Sequence, residues 1–145
     1  MSDFNDSVIA EFRANGGHVR ESANFGNQLV LLHTRGARSG TPRINPVIGI
    51  RDRRGWLIAA SAAGAPKDPA WAHNLRAHPD IEIEYSDADT VATTMVQARE
   101  LDGDEYEEAW RRFTHRSPMF ERYRERAGDS RRIPLFALTP PDGST

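Results

Sequence analysis

The stretch HTRGARSGTPRINPV concentrates positive charge around a turn. Its three arginines are Arg35, Arg38 and Arg43, and apolar runs precede and follow it. The backbone N–H groups of a glycine-rich turn form a concave anion site, and arginine side chains add forked, charge-assisted donors. Ser39 or Thr41 would add a hydroxyl donor. The pattern predicts a site for a phosphate or a carboxylate, and the alternative is an ordinary hairpin with solvated arginines.

A second stretch, SAAGAPKDPAWAHN at 61–74, suits a flat ligand. Its small residues let a ring approach the backbone closely, because no large side chain stands in the way. Trp71 could form one wall of such a pocket, and Asn74 could form a hydrogen bond inside it. Taken with the arginine turn, the stretch predicts an aromatic ring that carries a phosphate tail. The alternative is a loop with a core tryptophan.

The other reactive side chains form no hydrolytic or metal-binding pattern. The turn is neither a Walker loop nor a G-x-G-x-x-G loop, the five histidines lack metal-ligand spacing, and no G-x-S-x-G elbow is present. Phe120 and Tyr123 stand three residues apart and could face one pocket, with core packing as the alternative. An enzyme with this sequence would depend on a cofactor for its chemistry, and we expect no metal.

Composition and charge place the chain among single-domain globular proteins. Its 145 residues fit one domain, 1–145, with 38% hydrophobic and 28% charged residues. The formal net charge of −2 argues against nucleic-acid binding, which needs a basic balance. The N-terminal segment is acidic where a signal peptide is basic, no window reaches the length of a membrane span, and there is no cysteine. We expect a cytoplasmic protein without a membrane span.

Hydrophobic spacing and turn residues predict about six strands and several short helices. Pro46 indicates an edge or a bulge, the alternation in IEIEY indicates a half-exposed strand, and short turns favour antiparallel pairing. The chain is therefore predicted to be mainly β, either a barrel core or an α+β domain. Helices are expected at 4–14, from Pro69 to Pro79 with Asp68 as the cap, at 102–113 and at 118–128, and strands at 28–35, 43–52, 56–61, 81–85, 89–100 and 132–140.

The sequence resembles the deazaflavin-dependent nitroreductases, which use coenzyme F420. The resemblance rests on LLHTRGARSGTPRINPV, AASAAGAPKDPAWAHNL and the late RIPLFALTP, and it runs nearly from end to end. It implies a split β-barrel of about six mostly antiparallel strands, with an N-terminal helix and inserted short helices. The barrel would be like that of the FMN-binding pyridoxamine-oxidase group.

The resemblance also implies roles for individual residues. Phe120 and Tyr123 would lie over the substrate, and Ser61 or Tyr123 would steady or protonate it. Many relatives have a basic residue at Ala37, Lys-Gly at Ala62-Ala63 and a tyrosine at Phe120, so the chain departs from the family there. The cofactor would contact Ala37, Arg38 and Ser39 with its anionic tail, Arg43 with its phosphate, and Asn45, Pro46, Val47, Ala59, Ala60, Ser61, Ala62, Ala70, Trp71, His73 and Asn74 along the groove and the ring.

These features favour an F420H2-dependent reductase that transfers a hydride to a small conjugated acceptor, such as a nitroaromatic, a quinone or an activated C=C bond. The alternatives are an FMN-dependent oxidoreductase on the same barrel and a non-catalytic protein that carries F420. Barrels of this kind are often dimers, so a homodimer is a further expectation. Peripheral contact with a membrane through the N-terminal helix is also considered, although that helix has few basic residues.

Overall fold

The computed structural model describes residues 3–19, 29–60, 69–116 and 133–140. These ranges contain six strands and three helices, close to the predicted positions. The helix expected at 118–128 lies outside the described residues. The strands are β1 (Leu29–Arg35), β2 (Pro42–Asp52), β3 (Gly55–Ala59), β4 (Asp80–Asp87), β5 (Thr90–Glu100) and β6 (Leu135–Thr139), and the helices are α1 (Asp3–Ala14), α2 (Ala70–Ala77) and α3 (Gly103–Arg116).

The six strands close into one barrel in the order β1-β2-β3-β6-β5-β4. All the pairings between neighbouring strands of the described chain are antiparallel. Pairing of β1 with β4 closes the ring, and it places Leu32 opposite Ile83. The predicted fold, a barrel of about six mostly antiparallel strands with an N-terminal helix, is confirmed.

The barrel is split along the first half of β2. This strand pairs with β1 over residues 42–48 but meets β3 only from Gly49 onward. Among the described residues, the first half of β2 therefore has an unpaired edge. Pro46 lies in this half, opposite Leu31. A proline has no N–H to donate to a sheet, so an edge is where a strand tolerates it, as the sequence indicated.

Apolar side chains fill the barrel and pack the helices against it. Inside the barrel, Ile58, Ile83 and Phe136 are buried together with Ala72 and Leu75 of α2. Burial of each large apolar side chain contributes roughly 1.5–3 kcal/mol to stability. Two outer clusters attach the other helices: Val8 and Phe12 of α1 pack on Leu29 and Leu31, whereas Tyr106, Trp110 and Phe113 of α3 pack on Leu57 and Leu135.

The second helix differs slightly from its prediction. It begins at Ala70, and Pro69 occupies the N-cap position with φ −64° and ψ 153°. The expected cap, Asp68, lies outside the described residues. Trp71 is half-buried, and its ring centroid lies 6.1 Å from that of Phe136 at an interplanar angle of 52°. The tryptophan thus packs on a core residue, as the alternative interpretation held, and keeps part of its surface exposed.

The alternation in β4 only partly predicts its exposure. Ile81 and Ile83 are buried in the barrel and Glu82 is exposed, as expected. Glu84, on the outer face, is only 6% exposed. Arg13 of α1 and His33 of β1 contact it and exclude solvent. None of the helices in the described ranges is long and apolar enough to cross a membrane.

Candidate functional site

The turn between β1 and β2 is closed by its own hydrogen bonds. The amide of Gly36 donates to the carbonyl of Thr41 at 2.9 Å, and the amide of Gly40 donates to the carbonyl of Gly36 at 2.9 Å. The amide of Thr41 donates to Ser39 Oγ at 3.1 Å, so the serine hydroxyl keeps its own hydrogen for an outside acceptor. Gly40 has φ +71°, a conformation that favours glycine.

The backbone donors of this turn divide into two groups. Ala37 donates its amide hydrogen to Asn74 Oδ1 on α2, at 2.9 Å. Together with the bonds inside the turn, this contact occupies the amides of Gly36, Ala37, Gly40 and Thr41. Within the described part of the chain, the amides of Arg38 and Ser39 have no hydrogen-bond acceptor. Two successive amides left open in a turn are the donor arrangement that binds an oxyanion.

Three arginines lie in this turn or at the strand ends that flank it. Arg35, Arg38 and Arg43 are all exposed, and none forms an ion pair with an acid of the described residues. Arg43 lies opposite Thr34 in the register of β1 and β2. It shares a strand face with Val47, which lies in the barrel core, so Arg43 extends that interior face to the rim. The predicted anion donors therefore occur together at one end of the barrel.

A cavity of about 1110 Å³ opens beside this rim. Arg35 and Arg43 both line it, whereas Arg38 does not. The side-chain amide of Asn45 forms part of its wall. Thr34 Oγ1 donates a hydrogen bond of 2.8 Å to Asn45 Oδ1 and so fixes this side chain, and Thr34 itself is only 2% exposed. The cavity is also lined by α1, through Asp6, Ile9, Ala10 and Arg13, and by His33, Thr41, Pro42, Ile44, Asp80, Ile81, Glu82 and Met95.

The remaining predicted site residues occupy different environments. Asn45 and Pro46 are half-buried on the unpaired edge of β2, and Ala70 and His73 are exposed on α2. Val47 and Ala60 belong to the barrel core, and Ala59 to the cluster under α3. Ser61, Ala62, Phe120 and Tyr123 lie outside the described residues. The cofactor and substrate contacts assigned to all of these residues stay predictions.

The sequence did not reveal an ionic cluster that joins α1 to the barrel. Arg13 Nε and Nη2 donate to Glu84 Oε1 and Oε2 at 3.0 and 2.7 Å, and His33 Nε2 lies 2.6 Å from Glu84 Oε2. The hydrogen bonds from Arg13 hold the pKa of the Glu84 carboxyl below its ordinary value, although burial acts in the opposite direction. Arg13 and Glu84 are 71 residues apart, so no local pattern signals their pairing.

Known proteins resemble this chain over most of its length. The family model of the F420H2-dependent quinone reductases matches residues 6–140. An F420H2-dependent quinone reductase of Mycobacterium tuberculosis (strain ATCC 25618 / H37Rv) is 33% identical over 132 residues, which cover 90% of this chain and 85% of that protein. These matches confirm the resemblance that the three sequence stretches indicated.

Solved structures agree with these matches. An F420-H2 dependent reductase is 33% identical and has a TM-score of 0.63, covering 77% of this chain and 93% of its own. A domain-swapped dimer is 28% identical and has a TM-score of 0.66, covering 92% of this chain and 94% of its own. By sequence and by fold, the chain belongs to the F420H2-dependent quinone reductase family.

Proposed function

We propose that this protein is an F420H2-dependent reductase that transfers a hydride to a quinone-type acceptor. The observation that carries the proposal is the donor set at the β1–β2 turn, where the amides of Arg38 and Ser39 are open and three exposed arginines lie in the turn or at its flanking strand ends. This set fits the anionic tail of F420, because amides and guanidinium groups both donate to phosphate and carboxylate oxygens. Membership of the family supports the identity of the cofactor and of the acceptor class.

Reduced F420, when bound, supplies the hydride, and the chain supplies binding and orientation. The turn and Arg43 would hold the anionic tail, and the unpaired edge of β2 and the exposed face of α2 would border the ring. Holding the donor and the acceptor in contact removes the entropy cost of bringing them together, and excluding water protects the transfer. From the resemblance, Ser61 or Tyr123 would steady or protonate the acceptor, and Phe120 and Tyr123 would lie over it.

FMN is the cofactor that the local chemistry separates least well from F420. It also combines a phosphate with a flat ring, so the same hydrogen-bond donors would bind it. The family match favours F420. A carrier that binds F420 without turnover would use the same donor set, and the two functions differ in whether bound F420H2 is consumed by an acceptor.

Turnover with defined donors tests the proposal. The purified protein is mixed with a water-soluble quinone and with either F420H2 or NADPH, and oxidation of each donor is followed by absorbance. We expect consumption of F420H2 that depends on both protein and quinone. Turnover with NADPH alone would contradict the proposal, and binding of F420 without consumption by any quinone, nitroaromatic or enone would favour the carrier.

We also propose that the protein forms a homodimer. The similarity to a structure described as a domain-swapped dimer supports this assembly. Light scattering coupled to gel filtration should return twice the chain mass of 16.2 kDa. A mass equal to one chain at micromolar concentration would contradict it.

A cytoplasmic location and peripheral membrane contact stay predictions from the sequence. Flotation with liposomes tests the membrane contact.

A further inference from the structure

The contact between Asn74 and the β1–β2 turn indicates a specific role for this asparagine. We propose that Asn74 is a positioning residue, which holds the turn in its anion-binding shape and raises the affinity for the cofactor's tail through the turn. The inference rests on the proposed function and assigns Asn74 a task other than contact with the ring. Its basis is the hydrogen bond from the amide of Ala37 to Asn74 Oδ1.

The Asn74 side chain is committed to this contact. Asn74 is 6% exposed, and a buried amide is costly unless its polar atoms have partners. The orientation of the amide follows from chemistry, because a backbone N–H can only donate and must face the side-chain oxygen. The bond length of 2.9 Å is the usual one for an N–H···O bond.

The helix that carries Asn74 is a firm support. Ala72 and Leu75 lie in the barrel core. Arg76 Nε and Nη2 donate to the two carboxylate oxygens of Glu100 on β5 at 2.8 and 2.9 Å, and the Arg76 guanidinium lies 5.9 Å from the centroid of the Phe136 ring. Packing and ion pairing therefore fix α2 to the barrel at positions on both sides of Asn74.

The hydrogen bonds inside the turn do not use the amides of residues 37–39, so the position of this segment depends more on an outside contact. Gly36 and Gly40 flank Ala37, Arg38 and Ser39, and glycine permits more backbone conformations than any other residue. The contact fixes the amide of Ala37 against α2, and the next two amides, of Arg38 and Ser39, have no acceptor among the described residues and stay available to a ligand. The link uses the backbone of residue 37, so it does not depend on the side chain there.

Two ligands that differ only in the tail test the proposal. Binding of F420 and of the deazaflavin riboside without the phosphate-bearing tail is measured for the wild type and for Asn74→Ala. We expect Asn74→Ala to bind F420 about tenfold more weakly, which corresponds to one lost hydrogen bond, and to bind the riboside as the wild type does. The KM for F420H2 should rise while kcat stays near the wild-type value.

The other outcomes are equally informative. Equal weakening of both ligands would overturn the proposal, because it would place Asn74 against the ring, and unchanged binding of F420 would also overturn it. A wild type that binds F420 but reduces no quinone would refute the proposed function and leave this inference standing. A wild type that does not bind F420 would overturn both.

Two further variants separate positioning from general damage to the fold. Asn74→Asp keeps an oxygen that accepts from Ala37, so hydrogen exchange at the Ala37 amide should stay slow in this variant and become fast in Asn74→Ala. Arg76→Gln removes the ion pair with Glu100, but Ala72 and Leu75 remain packed in the barrel core and keep α2, and with it the Asn74 contact, in place. We expect Arg76→Gln to retain its affinity for F420, and a loss equal to that of Asn74→Ala would contradict the positioning role.

Discussion

Arg43→Ala should bind F420 about 10- to 100-fold more weakly than the wild type, because a charge-assisted hydrogen bond contributes about 1.5–3 kcal/mol. Arg43 extends the interior face of β2 to the rim and lines the cavity of about 1110 Å³. It is exposed and forms no ion pair with the described residues, so its loss should leave the free energy of unfolding almost unchanged. Equilibrium titration of F420 and urea unfolding measure the two quantities.

The three arginines of the turn region should not be equivalent. Arg38 does not line the cavity, so we expect its backbone amide to bind the tail while its side chain adds mainly charge attraction, which salt screens. Arg38→Ala is therefore expected to weaken binding less than Arg43→Ala, and its effect should fade in high salt. Arg35 lines the cavity and should fall between them. Arg43→Lys keeps the charge but not the forked donors, so it should recover only part of the affinity.

An arginine at the other end of the barrel is the matched control. Arg53 is exposed in the turn between β2 and β3 and has the same formal charge. Arg53→Ala should bind F420 as the wild type does. If Arg53→Ala and Arg43→Ala lost affinity equally, the cofactor would be attracted by net charge alone, and the assignment of the anion site to the rim would be wrong.

The sequence predicts the local elements of this fold because local patterns encode them. Alternation and turn residues located all six strands, and Pro46 marked the unpaired edge of β2. Local patterns could not predict how the strands close into a barrel. Pairing of β1 with β4 and of β3 with β6 joins strands that are distant in the chain, and their registers depend on how the whole core packs.

In the candidate site, too, the sequence predicts the local features but not the long-range contacts. Arg35, Arg38 and Arg43 are neighbours in the sequence, so their composition alone predicted an anion site at a turn. The contact of Asn74 with Ala37 joins residues 37 positions apart. The sequence showed that an asparagine was available in the second stretch, but only the packing of α2 against the barrel shows that its oxygen faces the turn.

The α1 helix connects this site to the stability of the fold. It forms one wall of the cavity through Asp6, Ile9 and Ala10, and it attaches to the barrel through apolar packing and the ionic cluster around Glu84. The cluster is the polar part of that attachment. A change at Glu84 should therefore alter both the free energy of unfolding and the shape of the cavity.

Glu84→Gln should destabilise the protein by about 2 kcal/mol at neutral pH, after a discount for the half-exposed Arg13. An ionised carboxylate only accepts hydrogen bonds, so it can receive both Arg13 and the Nε2–H of His33. A glutamine side chain has one oxygen and one NH2 group, so its NH2 group would face a donor. Urea unfolding at several pH values measures the loss.

The pH dependence of this loss has a definite sign. Arg13 holds the pKa of Glu84 below its ordinary value of 4.5 in the folded protein. The stabilisation is therefore complete above pH 4.5 and is lost as the pH falls through the lower pKa of the folded state. The part of the difference between wild type and Glu84→Gln that Arg13 contributes should therefore narrow in acid.

Glu82 provides the control on the same strand and face. It is exposed and lines the cavity, which Glu84 does not, so Glu82→Gln changes the charge of the cavity without removing a buried partner. We expect Glu82→Gln to unfold at nearly the wild-type urea concentration. A loss equal to that of Glu84→Gln would mean that the charge of the cavity, and not the Arg13–Glu84–His33 cluster, stabilises α1.

If the double variant of Arg13→Gln and Glu84→Gln loses no more stability than either single variant, the two side chains act as one unit, because each single variant already breaks the same bonds.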